Sequence, residues 1–273
     1  MLREENISYA ATTTTGHDNT IRFKFDAGSS ELAPYKNLPS AELVLITFPL
    51  RGEGQSKHLV DLYRAVHGNR NHWVQLGSTG IFTATHWNDY TSPYDHSNGR
   101  AIAEDELLSL GSGSSSGGGG GTTVLNLAGL YGGSRQPRNW VTRVATTKAQ
   151  VKAKAALHLI HGNDVAKAIV GVFHNFENVK GRRWIVTDLR VYDWWDLIGG
   201  WAKDVEEKVG KGEDPRVSAE EGKELDYEGW VGELMEEDGL RALPRGAEGL
   251  GRVLDSREFW KRVGIWPGEG RVK

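Results

Sequence analysis

Residues 73–82 of the chain read Trp-Val-Gln-Leu-Gly-Ser-Thr-Gly-Ile-Phe. A short apolar run gives way here to small hydroxyl and glycine residues, which predicts a buried strand that ends at an open edge of a sheet. Ligands of doubly wound sheets bind outside the carboxyl ends of the strands. We therefore expect residues 77–80 to lie at the mouth of a site, although a strand followed by a simple turn would produce the same pattern.

The segments on either side of this stretch predict a parallel sheet with crossover helices. Leu43–Thr47 is a continuous apolar run, which is typical of a strand covered on both faces. Gln55–His67, between the two runs, carries apolar residues at helical spacing. Strand, helix and strand in this order indicate parallel pairing. Thr123–Leu127 and Arg183–Asp188 are interpreted as further strands of the same α/β fold.

The patterns near the two ends of the chain also predict ordered elements. We expect Ile7–Thr13 to form a buried strand. Ile21–Phe25 alternates apolar and polar residues, which predicts a half-buried strand at an edge. His161-Gly-Asn-Asp opens a helix, and either Asn163 or Asp164 would cap it. Trp194–Val205 predicts a helix whose tryptophans pack in a core rather than bind a ligand.

Glycine-rich and charged regions divide the chain. We expect one domain over residues 1–202, with a flexible glycine/serine insertion at 111–121. A phosphate loop follows a strand and opens a helix, whereas this tract follows a predicted helix and precedes a strand. Residues 203–273 are expected to form a charged connection and a helical segment on the substrate side. The tail Pro267–Lys273 is expected to be loose.

Composition excludes several classes of function. The 273 residues carry a net charge of −3, which gives no electrostatic footprint for nucleic acid, and no apolar run is long enough to cross a membrane. The absence of cysteine excludes disulfides and thiolate nucleophiles. The nine histidines show no metal-ligand spacing, so we expect no metal site. These features predict a soluble, cytoplasmic protein, and they leave its oligomeric state open.

Four segments, in this order, carry a resemblance to a known family. They are Gly77–Phe82, which is similar to the family's Ser-Ser-Thr-Gly-Val-Tyr-Gly turn, Tyr94–Glu104, Leu127–Arg135 and Leu159–Val165. Together they resemble the extended and atypical short-chain dehydrogenases/reductases, which are NAD(P)-dependent relatives of nucleoside-diphosphate-sugar epimerases. The resemblance implies a Rossmann-like doubly wound parallel sheet with a small, mostly helical C-terminal part.

The resemblance assigns catalytic and substrate-side residues. Ser78, with Thr79 second, matches the family hydroxyl that hydrogen-bonds the reacting oxygen. Tyr94 matches the tyrosine that acts as general acid/base. Tyr131, Arg135 and His161 would line the substrate side. Arg135 suits a phosphate or a carboxylate because its planar fork binds such groups with two hydrogen bonds, although a solvated loop arginine is an equal alternative.

The resemblance also implies a cofactor, NAD or NADP. Thr47, Phe48 and Pro49 correspond to the segment that passes under its ribose and nicotinamide. Thr12 and Thr13 occupy the place that selects the adenine ribose. No arginine or acidic residue at that place distinguishes NADP from NAD.

Two departures from the family pattern bear on activity. The first strand, the glycine-rich turn and most of the first helix are absent, which implies an N-terminally truncated chain and a gap in the sheet between the strands Ile7–Thr13 and Leu43–Thr47. Asn98 stands where the family's catalytic lysine follows Tyr94, so no cation four residues on would lower the pKa of that tyrosine. Arg100 would lie on another face of a helix that included both residues, and it is the alternative cation if Tyr94 precedes the helix. The sequence therefore leaves two hypotheses. One is an NAD(P)-dependent oxidoreductase or epimerase relative acting on a sugar-nucleotide-like or small carbonyl substrate. The other is a non-catalytic binding module or truncated product that binds dinucleotide weakly or not at all.

Overall fold

The computed structural model describes residues 4–112, 120–214, 216–217 and 225–272. The strands are β1 (Thr12–Thr13), β2 (Ile21–Arg22), β3 (Leu43–Ile46), β4 (His72–Ser78), β5 (Trp87–Asn88), β6 (Thr122–Leu127), β7 (Gly129–Tyr131), β8 (Ala156–Leu157), β9 (Leu159–His161), β10 (Arg183–Val186), β11 (Tyr192–Asp193) and β12 (Val253–Leu254). The α-helices are α1 (Ala33–Lys36), α2 (Gln55–His67), α3 (Gly99–Ser112), α4 (Val141–Val144), α5 (Lys148–Lys152), α6 (Gly162–His174), α7 (Phe176–Val179), α8 (Trp194–Gly210), α9 (Tyr227–Glu237) and α10 (Arg257–Val263).

A four-stranded sheet in the order β10-β6-β4-β3 forms the centre of the fold, and each of its pairs is parallel. Parallel neighbours require crossover connections, and α2 supplies one between β3 and β4 while α3 lies between β4 and β6. The predicted α/β class and doubly wound parallel arrangement are therefore confirmed.

Helices cover both faces of this sheet. Trp73 and Val124 are fully buried in a core that they share with α2 and α3. Their neighbours along the strands, Val74 and Leu125, point to the opposite face and share a second core with α6 and α10. Successive side chains of a strand point to opposite faces, so strands buried on both faces are apolar at nearly every position. This burial explains why β4 was recognisable in the sequence.

The N-terminal strands differ from the prediction. Ile7–Thr13 does not form a buried strand: only Thr12–Thr13 forms a strand, and its partner is Ile21–Arg22 in a separate two-stranded sheet. Residues 8–12 are exposed. Within the described part of the chain, no strand pairs with the outer edge of β3. An apolar pattern indicates that a segment can be buried, but burial also needs a neighbouring strand, and β1 has only β2.

A third core lies around α8 and α9. Trp194, Trp195 and Trp201 are buried there, so the prediction that the tryptophans pack in a core is confirmed. α8 continues to Gly210 and buries Val205 and Val209, so regular structure extends past residue 202, where the composition changes. A charged sequence still forms a packed helix when one of its faces is apolar.

The C-terminal tail is held in place, contrary to the expectation that it is loose. The backbone amides of Gly268 and Glu269 donate to the Asp164 carboxylate at 2.7 and 3.1 Å. The hydroxyl of Tyr131 donates to the carbonyl of Gly270 at 3.4 Å. Asp164 is fully buried, so the tail, together with the Lys167 ammonium that donates to Asp164 Oδ1 at 3.2 Å, satisfies acceptors that are shielded from water.

The expected glycine/serine insertion falls largely on residues 113–119, which lie outside the described residues. Gly111 belongs to α3, and Gly120 is packed so closely on the backbone of Asn71 that no Cβ would fit there. None of the described helices combines the length and apolar composition needed to cross a membrane.

Candidate functional site at the carboxyl edge of the sheet

Ser78 and Thr79 lie at the end of β4, where a short 3-10 turn, Thr79–Ile81, begins. The Thr79 hydroxyl is buried and donates to the Leu127 carbonyl at 3.3 Å, which ties the ends of β4 and β6 together. The half-buried Ser78 Oγ accepts from the Gly80 amide at 3.2 Å. A hydroxyl that accepts a hydrogen bond still has its own proton to donate. Ser78 is therefore the better placed of the two to bind a ligand.

A network of buried, hydrogen-bonded side chains connects to the backbone of this turn at Ser78. The Asn126 amide donates to the Ser78 carbonyl at 3.2 Å and to Glu104 Oε2 at 2.9 Å. Arg183 donates to the same Glu104 oxygen at 2.7 Å. Burial raises the pKa of Glu104, against the opposing effects of Asn126 and Arg183. A Cβ at Gly77 would overlap both Glu104 and Asn126, so the glycine is what lets the network reach β4.

Tyr94 belongs to the far end of the same network. It precedes α3, and its hydroxyl donates to Asp105 Oδ1 at 2.9 Å, while the Arg183 guanidinium lies 4.0 Å from its ring centroid. Burial and the hydrogen bond to Asp105 raise the pKa of Tyr94, and the Arg183 charge only partly opposes them. Asn98 caps α3 by accepting from the Arg100 amide at 3.0 Å. The structure thus links Tyr94 to the Ser78 backbone through side chains, with its hydroxyl engaged by a carboxylate.

The residues assigned to the cofactor lie on two different sheets. Thr47, Phe48 and Pro49 directly follow β3 at its carboxyl end, and the Phe48 ring stacks on Phe25 at 6.0 Å. Thr12 and Thr13 form β1, where the Thr13 and Thr20 hydroxyls are 2.7 Å apart. Thr47, Phe48 and Pro49 therefore lie at the carboxyl edge of the main sheet, as the resemblance implies. The second group is on the separate β1–β2 sheet.

The connection from β3 to α2 is a poor place for the pyrophosphate of a dinucleotide. A pyrophosphate binds where a strand and a glycine turn lead into a helix with free N-terminal amides. The connection from β3 to α2 contains Gly52 and Gly54, but the amides of Gly54 and Lys57 donate to the two Glu106 carboxylate oxygens at 2.8 and 3.0 Å. The carboxylate of Glu106 therefore occupies the place where an anion would bind.

The substrate-side residues come together in part. Tyr131 and His161 are partners in the parallel β7–β9 pair, and their ring centroids are 5.0 Å apart. His161, rather than Asn163 or Asp164, caps α6: its Nδ1 accepts from the Asn163 amide at 3.2 Å, because Asp164 is turned inward to the tail. Arg135 is exposed, with its Nε donating to the Leu130 carbonyl at 2.6 Å and its guanidinium 5.5 Å from the Trp140 ring centroid.

Two residues at this edge were not predicted from the sequence. Arg252 Nη1 donates to the Thr79 carbonyl at 2.8 Å across 173 residues of sequence. His158 is buried, and its Nε2 accepts from the Leu254 amide at 3.1 Å. Burial, with a smaller contribution from the Arg252 charge, lowers the pKa of His158 to about 4. No local motif marks either residue, because both depend on the packing of the C-terminal segment, residues 238–272, against the sheet edge.

Comparison with protein-family models and with curated proteins finds no match. Comparison with solved structures finds similar folds. MoeE5 in complex with UDP-glucose and NAD has a TM-score of 0.57 and 12% identity, covering 98% of this chain and 88% of that chain. The yeast methylglyoxal/isovaleraldehyde reductase Gre2, complexed with NADPH, has a TM-score of 0.54 and 14% identity, with the same coverage of 98% and 88%. The UDP-N-acetylglucosamine 4-epimerase from Bacillus cereus has a TM-score of 0.51 and 12% identity, covering 88% of this chain and 93% of that chain.

The likeness is one of fold. The chain has the Rossmann-like α/β fold of NAD(P)-dependent epimerases and reductases, so the resemblance expected from the sequence is confirmed at that level. The N-terminal truncation that the resemblance implied stays a prediction. Fold alone does not identify a reaction, because one fold carries many chemistries. The function has to be argued from the residues of the site.

Proposed function

We propose that this chain is a small-molecule-binding protein of the NAD(P)-dependent oxidoreductase and epimerase type that has lost the catalytic proton relay. The observation that carries the proposal is the hydrogen bond from the Tyr94 hydroxyl to Asp105. A tyrosine acts as a base near neutral pH only when a neighbouring cation lowers its pKa from about 10. Here burial and a carboxylate raise that pKa instead. Tyr94 thus acts as a structural donor.

Dinucleotide binding by this chain is proposed to be weak or absent. Thr47, Phe48 and Pro49 would contact the nicotinamide end of NAD or NADP, which would supply hydride chemistry if bound. The Glu106 carboxylate at the start of α2 argues against a pyrophosphate on that helix. A phosphate placed there would meet like charge and lose the backbone donors. The part of the sheet edge that remains for a ligand is the Ser78–Gly80 turn. Tyr131 and His161, which lie beside the C-terminal segment, would line the substrate side.

An active NAD(P)-dependent oxidoreductase or epimerase is the second candidate. Its support is the position of Ser78 at the carboxyl end of a central strand, with a hydroxyl proton available for a ligand oxygen. Its substrate would be sugar-nucleotide-like or a small carbonyl compound, with Arg135 and the segment 203–273 on the substrate side. For either candidate we infer a cytoplasmic protein.

Turnover assays separate the two candidates. We expect the protein, incubated with NADH or NADPH and a panel of UDP-sugars and small aldehydes and ketones, to convert nothing above the rate without protein. Tyr94→Phe should show the same background rate, since the tyrosine is not the base. Turnover by the unmodified chain that falls at least tenfold in both Ser78→Ala and Tyr94→Phe would refute the proposal and establish the oxidoreductase. Far-UV circular dichroism checks that each variant is folded.

A further inference from the structure

Arg252 brings a positive charge to the ends of the two central strands. Its Nη1 donates to the Thr79 carbonyl, next to Ser78 at the end of β4. It also lies close enough to His158 to lower the pKa of that histidine, and the His158 carbonyl accepts from the Gly129 amide just beyond β6. The guanidinium thus lies over the carboxyl edge, which is where doubly wound sheets bind their ligands.

This arginine has no acidic partner among the described residues. Elsewhere in the C-terminal segment, Arg245 pairs with Asp193, Arg257 with Asp255, and Arg262 with Glu258. No carboxylate lies within 4 Å of Arg252 in the described ranges, and its one hydrogen bond is to a neutral carbonyl. A guanidinium carries five N–H donors in a fixed fork, so most of its donors remain for a ligand.

The surroundings do not neutralise this charge. Residue Arg252 is exposed as a whole, yet burial of its guanidinium lowers its pKa below the ordinary value. His158 is held neutral, because burial lowers its pKa to about 4. A partly desolvated cation without a counter-ion favours an anion more strongly than a fully hydrated one does. The neighbouring Ser78 hydroxyl adds a donor on the same turn.

We propose that Arg252 and the turn Ser78–Gly80 form a binding site for an oxyanion, either a carboxylate or a phosphate, carried by the small molecule that binds this edge. The inference rests on the proposed function, since it names the chemical class of that ligand. The planar fork of arginine matches both groups with two parallel hydrogen bonds, which lysine does not reproduce. The Ser78 hydroxyl would donate to a neighbouring oxygen of the same ligand.

Isothermal titration with oxalate and with inorganic phosphate, in the absence of dinucleotide, tests the site. We expect saturable binding of at least one of these anions by the unmodified chain. Arg252→Gln should weaken it at least tenfold, and Arg252→Lys, which retains the charge and a donor for the Thr79 carbonyl, several-fold. Arg241→Gln is the matched control, because it removes one positive charge from an exposed position of the same segment and should bind as the unmodified chain does.

The two probes distinguish the sources of the oxyanion: tighter oxalate binding indicates a carboxylate, and tighter phosphate binding a phosphate. Absence of saturable binding of either probe, or a loss below threefold in both Arg252 variants, overturns the site. Equal weakening in Arg241→Gln also overturns it, since the effect would then be one of net charge. If Arg252→Gln does not fold, the test rests on Arg252→Lys alone: a loss of affinity below threefold in that variant then overturns the site. Because no turnover is measured, an active enzyme would refute the proposed function without changing this result.

Discussion

Acid should destabilise the protein through His158. Burial lowers the pKa of this histidine from 6.5 to about 4, so the unfolded chain takes up a proton over a pH range in which the folded chain does not. The stability contributed by the neutral, buried ring is complete above pH 6.5 and is lost as the pH falls towards 4. Well below pH 4 the loss reaches about 3 kcal/mol, since each unit of difference between the unfolded and folded pKa values is worth about 1.4 kcal/mol. Between pH 7.5 and pH 5 it is about 2 kcal/mol.

The matched variant is His158→Gln, whose side-chain oxygen can accept from the Leu254 amide in place of Nε2. A glutamine side chain does not titrate. The free energy of unfolding of His158→Gln should therefore fall by about 2 kcal/mol less than that of the unmodified chain between pH 7.5 and pH 5. Buried carboxyl groups such as Glu104 and Asp188, whose pKa values burial raises, titrate in both proteins and cancel in the difference.

Urea unfolding followed by circular dichroism at the two pH values gives the four free energies. The difference between proteins is the quantity to compare, because extrapolated values carry shared errors. Identical pH dependence in the two proteins would refute the assignment of a buried, neutral His158 beside Arg252. A greater loss of stability in His158→Gln than in the unmodified chain would also contradict it.

Three further perturbations test the fold around the site by urea or thermal unfolding. Gly77→Ala should lower the free energy of unfolding by about 1–3 kcal/mol, since its methyl group would overlap Glu104 and Asn126; an unchanged value would show that the network is not packed on β4. Glu106→Ala should cost about 1 kcal/mol by removing the partner of the Gly54 and Lys57 amides at the start of α2, and Glu106→Gln should cost less; equal stability of all three proteins would count against that contact. Replacing residues 113–119 by a short turn should leave the melting temperature within a few degrees, because loop closure depends weakly on length; a large fall would give the tract a structural role.

The sequence predicted the parts of the fold that depend on continuous burial. β3, β4 and α2 were recognisable because strands covered on both faces are apolar throughout, and an amphipathic helix repeats its apolar residues at a fixed spacing. Ile7–Thr13 has a similar pattern, but most of it is exposed, since burial depends on a neighbouring strand that a local pattern does not specify. The tail after Pro267 was also misjudged, because its partner Asp164 is more than a hundred residues away.

The candidate site was predictable only where a motif coincided with a strand end. Ser78 and Thr79 were found because β4 stops in a small, hydroxyl-rich turn. Tyr94 was found by resemblance, but its bond to Asp105 is a matter of tertiary packing. Arg252 carried no signal, since contact with Thr79 arises only when the C-terminal segment folds back over the sheet. Long-range contacts of this kind determine charge and pKa, and a single sequence does not contain them.

Calorimetric titration with NADH and NADPH tests the central claim most directly. With the amides of Gly54 and Lys57, at the start of α2, bonded to Glu106, we predict no saturable binding up to about 1 mM dinucleotide, a binding free energy weaker than about −4 kcal/mol. A dehydrogenase of known affinity, titrated with the same solutions, serves as the positive control. A dissociation constant of about 1 μM, equivalent to about −8 kcal/mol, would contradict the claim, because the protein would then hold the pyrophosphate without the donors that such a group needs.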